Sequence, residues 1–412
     1  MRLASDELDR QADALMAMVG DGATVVAGCL SAEPRYLMRA LCRRAEGLAQ
    51  VDLAAGMFLG DYDFLSAGSI RFRTWFPPGT LGQHRAVDRR IEYLPVGWAQ
   101  VVDYLTERLV IDVLLIQVSA ADDEGYHSFG TSASYVAPAA GIARRVIAEV
   151  NHAMPRTFGA RIHSSRLDGV VDVDYPVPAF PQRPSAALDE RIARNVSDLI
   201  ADERTLQVGV GSIPDAVVRR LAFEGRRGMR FHGALPASVI ALADCGGLAP
   251  QPGAITVCEA LGDRDLYDFI DGNESVRMVG ADETHAARRL VAVPRLTCLN
   301  SALSVDLFGQ VNTEYLDGHQ AGAVGGAVDF SGAATWSGNQ GIVALRSTAR
   351  ADTVSRIVPV LESPTVSLPR HATQFVVTEH GVADLRDKTV EERRRAIAMV
   401  AHPAFRSALA SA

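Results

Sequence analysis

Two segments of the sequence bring polar side chains and glycines together. One holds Asn312 and continues into GAVGGAVDF, which contains Gly322, Gly325 and Gly326. Glycines let bare backbone approach a ligand closely, so N–H groups of this stretch could hold an oxyanion or a phosphate. A tight turn between two domains is the structural alternative.

The second segment is VVTEHGVADLRDK, in which an apolar strand leads to Glu379, His380 and a glycine turn. In open parallel sheets, ligand sites lie at the carboxyl ends of strands. A buried salt bridge from Glu379 to an arginine is an equally good interpretation. Lys388, at the end of this segment, is the only lysine among 41 basic residues. Phosphates of a ligand would therefore be held by arginines, backbone N–H groups or Lys388.

Several common site motifs are incomplete or absent. VGVGSIP places Gly209 and Gly211 between a strand and a helix, but Pro214 occupies the third glycine position of a dinucleotide fingerprint. The sequence has no nucleophile elbow, no GK[ST] phosphate loop and no zinc-ligand spacing. We therefore expect neither a nicotinamide cofactor nor a bound metal.

The composition predicts a globular protein. The 412 residues are 48% hydrophobic and 22% charged, enough for two cores, and the formal charge of -8 argues against a nucleic-acid partner. Five dispersed cysteines without a CxxC pair indicate a reducing compartment. The first residues, MRLASDELDR, do not resemble a signal peptide, and no apolar run is long enough to span a bilayer. We expect a cytoplasmic protein without a membrane partner.

Short apolar runs alternate with helical patterns along the chain, which predicts α/β architecture with open parallel sheets. Four prolines in PVPAFPQRP, residues 176–184, predict an extended connector. We expect an N-terminal domain over residues 1–180 and a C-terminal domain over 181–412. A weak repeat supports this division, because VVAGCLSAEPRYLMRAL and LQVGVGSIPDAVVRRL both read strand, glycine turn, proline and helix.

Longer motifs make the chain similar to a known family. In sequence order they are GYHSFGTSASY, AEVNHAMPRTFG, LYDFID, NSALSVDLFGQVN, GAVGGAVDF, SRIVP, VVTEHGVADLRDK and AHPAFR. Together they resemble the acetyl-CoA hydrolase/transferase family, which includes 4-hydroxybutyrate and acetate CoA-transferases. The resemblance covers nearly the whole chain.

The resemblance implies two related α/β domains of the CoA-transferase fold, with the acyl-CoA site in a cleft between them. It implies a coenzyme A thioester as substrate, a small-molecule acceptor as the second partner and no covalently bound cofactor. A homodimer is one open arrangement. Family members transfer CoA through a glutamate that forms an acyl anhydride and then a glutamyl-CoA thioester.

One position departs from the family pattern. The family's glutamate usually lies in a His-Thr-Glu-Met motif, and the matching stretch here begins at His232 and carries Ala234 in place of the carboxylate. Alanine cannot form an anhydride, so the covalent route requires another carboxylate. Glu259, on the next predicted strand, is the first candidate, although it could equally face solvent.

Other family positions are retained. Asn312, Gly325 and Gly326 match residues that polarise the thioester carbonyl, and Glu379 matches an active-site glutamate. Six further residues are expected to contact the substrate. They are Gly209, Gly211, Ala234, Gly322 and Lys388 in the C-terminal half and His163 in the N-terminal half.

Three function classes follow from this pattern. We favour an enzyme that delivers the acyl group of an acyl-CoA directly to an amine, alcohol or water, with His232, His163 or His380 as general base. A CoA-transferase that uses a relocated carboxylate is the second class, and a non-catalytic CoA-binding subunit is the third. Cys245 is a weaker candidate nucleophile, because a helix C-terminus raises a thiol pKa.

Overall fold

The computed structural model describes residues 5–63, 68–76, 90–336 and 338–411. The chain forms two compact units. The first comprises Met1–Phe180 and Thr256–Thr284, and the second comprises Pro181–Ile255 and His285–Ala412. The segment Thr256–Thr284 thus belongs to the first unit, whereas a single division after residue 180 would assign it to the C-terminal domain.

The described residues form the following regular elements. The helices are α1 Ser5–Leu15, α2 Arg35–Ala45, α3 Trp98–Asp103, α4 Val136–Ala140, α5 Ala187–Ser197, α6 Ser212–Phe223, α7 Val239–Asp244, α8 Arg264–Ile270, α9 Ala281–Thr284, α10 Ala287–Leu290, α11 Ala327–Ala334, α12 Val390–Met399 and α13 Pro403–Ser411. The strands up to the middle of the chain are β1 Ala23–Ala27, β2 Val51–Ala55, β3 Ile70–Thr74, β4 Ile91–Tyr93, β5 Val113–Val118, β6 Tyr126–Ser128, β7 Val146–Asn151, β8 Phe158–Gly159, β9 Arg161–His163, β10 Gly169–Val173, β11 Thr205–Val208, β12 Arg230–Pro236 and β13 Ile255–Leu261. The remaining strands are β14 Val276–Met278, β15 Leu296–Ser301, β16 Ser304–Asp306, β17 Val311–Asn312, β18 Tyr315–Leu316, β19 His319–Gln320, β20 Gln340–Ala344, β21 Thr348–Ala349, β22 Val354–Ser355, β23 Ile357–Val358, β24 Phe375–Thr378 and β25 Gly381–Asp384.

The first unit is built around a parallel sheet in the order β10-β7-β5-β1-β2-β3-β4. Val25 of β1 lies opposite Leu53 of β2 and Val113 of β5. All three side chains are buried in one core together with Phe72 and Ile147. Three further strands of this unit follow one another in the order β13-β14-β8.

The strand order reverses beside β1. The chain adds β2, β3 and β4 on one side of β1, and then adds β5, β7 and β10 on the other. Such a switch point leaves a crevice at the carboxyl ends of the two central strands, where open α/β sheets bind ligands. The crevice of this unit lies after Ala27 of β1 and Val118 of β5.

The second unit repeats this arrangement with the strand order β25-β24-β20-β15-β11-β12. Its described pairings are parallel except that β25 runs antiparallel to β24. The order reverses beside β11, as it does beside β1 in the first unit. One core of this unit contains Val305, Ile357 and Val376, and another contains Cys298 and Phe330.

The predicted internal repeat is visible in both units. β1 leads through a glycine-containing turn to α2, and β11 leads through a glycine turn to α6. Pro34 stands immediately before α2, and Pro214 lies in the first turn of α6, where a missing N–H breaks no helical hydrogen bond. Leu41 and Leu221, seven residues after these prolines, are both fully buried. The predicted α/β architecture with two related parallel sheets is therefore confirmed.

Residues 174–186, which include the proline-rich connector, form neither helix nor strand. Within the described part of the chain, no helix is both long and apolar enough to cross a bilayer. The same residues include no group of three or more His, Cys, Asp or Glu side chains placed to hold a metal ion.

Candidate functional site

Glu259 is a buried carboxylic acid on β13. Its residue is only 6% exposed, so the interpretation that it faces solvent is wrong. The backbone around it is fixed, because Ala260 N–H donates to Thr131 O and Ser134 N–H donates to Cys258 O. Its Oε1 atom makes no hydrogen bond within the described residues.

Burial raises the pKa of Glu259 to about 7, and the nearby Ser134 hydroxyl opposes part of that rise. Burial likewise raises the pKa of the Cys29 thiol well above its ordinary value, and the charge of Glu259 raises it further. Cys29 is therefore an un-ionised neighbour of Glu259 rather than a thiolate nucleophile.

These side chains lie at the carboxyl edge of the first unit's sheet. Cys29, Gly56 and Trp75 follow the ends of β1, β2 and β3, and these three strands are adjacent. The Tyr135 hydroxyl ties the edge together, because it donates to Ala27 O at 2.6 Å and accepts from Gly56 N–H at 3.1 Å. The structure thus places an acid, a thiol and two large aromatic side chains where parallel sheets bind ligands.

In the second unit, β12 carries the stretch that is expected to correspond to the family's glutamate motif. His232 is buried, with its ring edge-on to Phe330 at a centroid distance of 6.3 Å. Gly233 has a φ of 101°, and a Cβ atom there would lie 2.8 Å from Phe330 Cζ. Ala234 is half-buried and presents only a methyl group.

The predicted glycine pair lies beside a second buried histidine. Gly325 has a φ of 58°, and Gly326 caps the N-terminus of α11. A Cβ atom on Gly326 would lie 2.7 Å from Nε2 of His285, so glycine is required there. Burial, assisted by His232, lowers the pKa of His285 to about 3. This imidazole is neutral at physiological pH and is a weak base.

The structure thus brings His232, Gly326 and the unpredicted His285 together around Phe330. The His285 and Phe330 rings meet edge-on at 4.7 Å. Sequence reasoning missed His285 because it lies in a polar segment, ADETHAARR, that reads as an exposed helix. It missed Trp75 and Tyr135 because single aromatic residues carry no spacing signal.

Asn312 has a role in a turn. Its Nδ2 group donates to Tyr315 O at 2.8 Å and to Ser304 Oγ at 3.3 Å. Its Oδ1 atom accepts from the N–H groups of Glu314 and Tyr315. A contact from Asn312 to an oxyanion would therefore require exchange of one of these bonds. Gly322 closes the same region, since its N–H donates to Glu314 O at 2.8 Å.

Glu379 is buried at the end of β24 and is held by Ser347. The Ser347 N–H group and hydroxyl both donate to its carboxylate. Among the described residues no arginine lies within ion-pair distance of this carboxylate, so the alternative of a salt bridge to an arginine is wrong there. Oε1 of Glu379 lies 3.5 Å from Nε2 of His380. Burial lowers the pKa of His380.

The remaining predicted residues lie at dispersed positions. Gly209 follows β11 and donates its N–H to Leu299 O, and Gly211, with a φ of 140°, precedes α6. Lys388 is exposed in the turn before α12. His163 lies in the first unit, where its Nδ1 atom is 2.8 Å from Ser165 Oγ.

Comparison with known proteins places the chain in a family. The N-terminal domain model of acetyl-CoA hydrolase/transferase matches residues 9–181, and the C-terminal domain model matches residues 262–412. The 4-hydroxybutyrate coenzyme A transferase of Clostridium kluyveri is 35% identical over 390 residues, which cover 92% of this chain and 90% of the relative.

Solved structures agree in fold. RipA from Yersinia pestis superposes with a TM-score of 0.91 at 27% identity, covering 99% of this chain and 98% of that chain. The 4-hydroxybutyrate CoA-transferase from Porphyromonas gingivalis gives a TM-score of 0.79 at 30% identity, with the same coverage.

The chain belongs to the acetyl-CoA hydrolase/transferase family. It has the CoA-transferase fold and is an enzyme of acyl-CoA transfer or hydrolysis, with CoA thioesters as its substrates.

Proposed function

We propose that the protein transfers coenzyme A between carboxylic acids and that Glu259 is the carboxylate that carries the reaction. The supporting observation is the buried Oε1 atom of Glu259, which has no hydrogen-bond partner within the described residues and lies near Cys29 at the carboxyl edge of a parallel sheet. A buried acid without a full set of partners costs stability, and such groups concentrate at functional sites.

The proposed reaction has two covalent steps on Glu259. Its carboxylate oxygen attacks the thioester carbonyl carbon, the C–S bond breaks, and CoA thiolate leaves an acyl-glutamyl anhydride. The thiolate then attacks the Glu259 carbonyl carbon, the C–O bond of the anhydride breaks, and the first acid departs as its carboxylate. A second carboxylic acid reverses both steps and leaves as the new thioester.

The environment of Glu259 suits this role. Burial raises its pKa to about 7, so the ionised form is a more basic nucleophile than an exposed carboxylate and is still populated near neutral pH. The neighbouring thiol and phenol do not compete for the acyl group, because burial raises the pKa values of Cys29 and Tyr135 well above their ordinary ranges.

Trapping of the covalent intermediate tests this proposal. The protein is incubated with butyryl-CoA, reduced with borohydride and digested, and the peptides are mapped by mass. We expect Glu259 to be converted to the corresponding alcohol, which is the product of reducing a glutamyl thioester. Unmodified Glu259 under conditions of measurable turnover would overturn the assignment.

Glu149 supplies a matched control for this experiment. It is also a fully buried acid of the first unit, and burial raises its pKa to about 7. Its two oxygens are both bonded, to Leu37 N–H at 2.8 Å and to the Tyr175 hydroxyl at 2.6 Å. Glu149→Gln should retain the trapped product at Glu259, whereas Glu259→Gln should abolish both trapping and CoA transfer.

Direct acyl transfer to an amine, an alcohol or water is the second candidate. The arrangement of His232, His285 and Phe330 beside Gly326 favours it, because backbone N–H groups and an imidazole could act on one carbonyl. The low pKa of His285 weakens the case for this histidine as the base. Release of free CoA by Glu259→Gln at the wild-type rate would support this candidate.

A further inference from the structure

Trp75 holds a buried hydrogen-bond donor that the fold does not use. The residue is 1% exposed, and its indole Nε1–H has no acceptor within the described residues. Buried tryptophan N–H groups usually find a partner, because an unpaired donor loses its bond to water and gains nothing in return. The fixed position of this donor indicates an acceptor that arrives with a ligand.

The side chain is held in a defined orientation. Its ring packs edge-on against Tyr135, with centroids 4.8 Å apart and planes at 85°. A Cβ atom on Gly56 would lie 3.4 Å from Trp75 Nε1 and 3.0 Å from Cys29 Sγ. The indole nitrogen and the Cys29 thiol therefore flank one point at the ends of β1, β2 and β3.

The segment 131–135 contacts both Trp75 and the strand that carries Glu259. Thr131 and Ser134 form backbone hydrogen bonds with β13, and Tyr135, the next residue, packs on Trp75. Glu259 is also near enough to Cys29 for its charge to act on the thiol. An unpaired donor and an unpaired acceptor thus both lie near Cys29.

We propose that the Trp75 indole N–H donates a hydrogen bond to an oxygen of the acyl substrate, either the thioester carbonyl that Glu259 attacks or the carboxylate of the acid that attacks the glutamyl-CoA thioester. This inference rests on the proposed function, because it takes Glu259 as the attacking group. Trp75 is then a substrate-binding residue that selects carboxylic acids and their thioesters.

The chemistry of CoA transfer requires a hydrogen-bond donor at the oxygens of the substrate. A free acid must bring its carboxylate into a buried site, where a charged group without a hydrogen-bond partner is costly. A neutral N–H group stabilises the oxygen of the incoming acid, and during attack it stabilises the charge that develops on the carbonyl oxygen. An indole cannot accept the acyl group, so it adds no side reaction.

Nuclear magnetic resonance of ¹⁵N-labelled tryptophan tests the contact directly. The chain has three tryptophans, Trp75, Trp98 and Trp336, so loss of a signal in Trp98→Phe and in Trp336→Phe leaves the third indole signal as that of Trp75. Titration of the wild-type protein with butyrate, and separately with butyryl-CoA, should move the Trp75 indole proton downfield in a saturable manner. An unmoved Trp75 signal at saturating ligand would overturn the proposal.

Kinetics of Trp75→Phe give a second readout. The substitution keeps an aromatic ring and removes the N–H, so kcat/KM for butyryl-CoA should fall about tenfold to a hundredfold. Trp98→Phe is the matched control, because Trp98 is also buried in the first unit and packs edge-on against Tyr135 at 6.3 Å. Equal effects of the two substitutions would mean that Trp75 acts only through packing.

The two proposals can fail separately. Trapped Glu259 together with an unmoved Trp75 signal and an unchanged rate in Trp75→Phe would leave the proposed function standing and remove the role of Trp75. An indole shift with butyrate in a protein that shows no modified Glu259 would support the donor site and overturn the covalent mechanism.

Discussion

At the scale of single residues, Glu149 and Glu259 are two buried acids that differ in hydrogen bonding. Burial raises the pKa of each to about 7. Glu149 accepts two hydrogen bonds and anchors the start of α2, whereas one oxygen of Glu259 has no partner in the described structure. The sequence gives both as single acids on apolar strands, so only the structure distinguishes an anchoring carboxylate from a candidate nucleophile.

The raised pKa of Glu259 predicts a pH-dependent cost to folding. The folded state holds the proton more tightly than the unfolded state, in which the pKa is near 4.5. The stability that protonated Glu259 contributes is therefore fully present below pH 4.5. It falls as the pH rises from 4.5 through 7 and does not change at higher pH, so that the free energy of unfolding decreases by at most about 3 kcal/mol in total. Relative to wild type, Glu259→Gln should gain stability between pH 5 and pH 8.

Urea unfolding at the two pH values measures this gain. Glu149→Gln is the comparison, because it removes a carboxyl with the same raised pKa but also takes an acceptor away from the Tyr175 hydroxyl, which costs stability at both pH values. A constant difference in unfolding free energy between Glu259→Gln and wild type across that range would show that Glu259 titrates as an ordinary exposed carboxyl.

At the scale of elements, local rules in the sequence predict the strand–turn–helix pairs well. Pro34 stands immediately before α2, Pro214 lies in the first turn of α6, and the leucines seven residues after each proline are fully buried. The same rules could not place His285, because it lies between two four-residue helices whose positions depend on tertiary packing. They also could not show that Glu259 faces inward, since β13 is buried on both faces and lacks an alternating pattern.

The N-terminus of α11 offers an element-scale prediction. Gly326→Ala should destabilise the protein by about 1 to 3 kcal/mol, because the added methyl group would lie 2.7 Å from His285 Nε2 and 3.3 Å from Phe330. Gly332→Ala, within the same helix, should instead stabilise it by about 0.5 to 1 kcal/mol, because that position is exposed and has nothing within 4 Å. Chemical denaturation of both variants measures the difference. Equal stabilities would contradict the close approach of His285 to this turn.

At the scale of the whole molecule, each unit has a parallel sheet that reverses its strand order beside its first central strand, β1 or β11. The sequence repeat anticipates this duplication, because the same strand, turn and proline pattern opens both sheets. The two copies have diverged in chemistry. The first carries Glu259, Cys29 and Trp75, and the second carries Ala234 where the resemblance leads one to expect a glutamate.

The divergence at position 234 predicts that Ala234→Glu does not restore activity to Glu259→Gln. Pro236 and the conformation of Gly233, with a φ of 101°, constrain this strand differently from a flexible polar loop.

The loss of the family's glutamate also leads to a prediction about the steady-state kinetics of the enzyme. If Glu259 forms a covalent intermediate, the first acid leaves before the second binds, so reciprocal plots at several concentrations of a carboxylate acceptor should be parallel. Direct acyl transfer requires acyl-CoA and acceptor to be bound together, and its plots should intersect. Initial rates with butyryl-CoA and acetate distinguish the two mechanisms. Intersecting plots with acetate would assign the reaction to direct transfer and leave Glu259 without a covalent role.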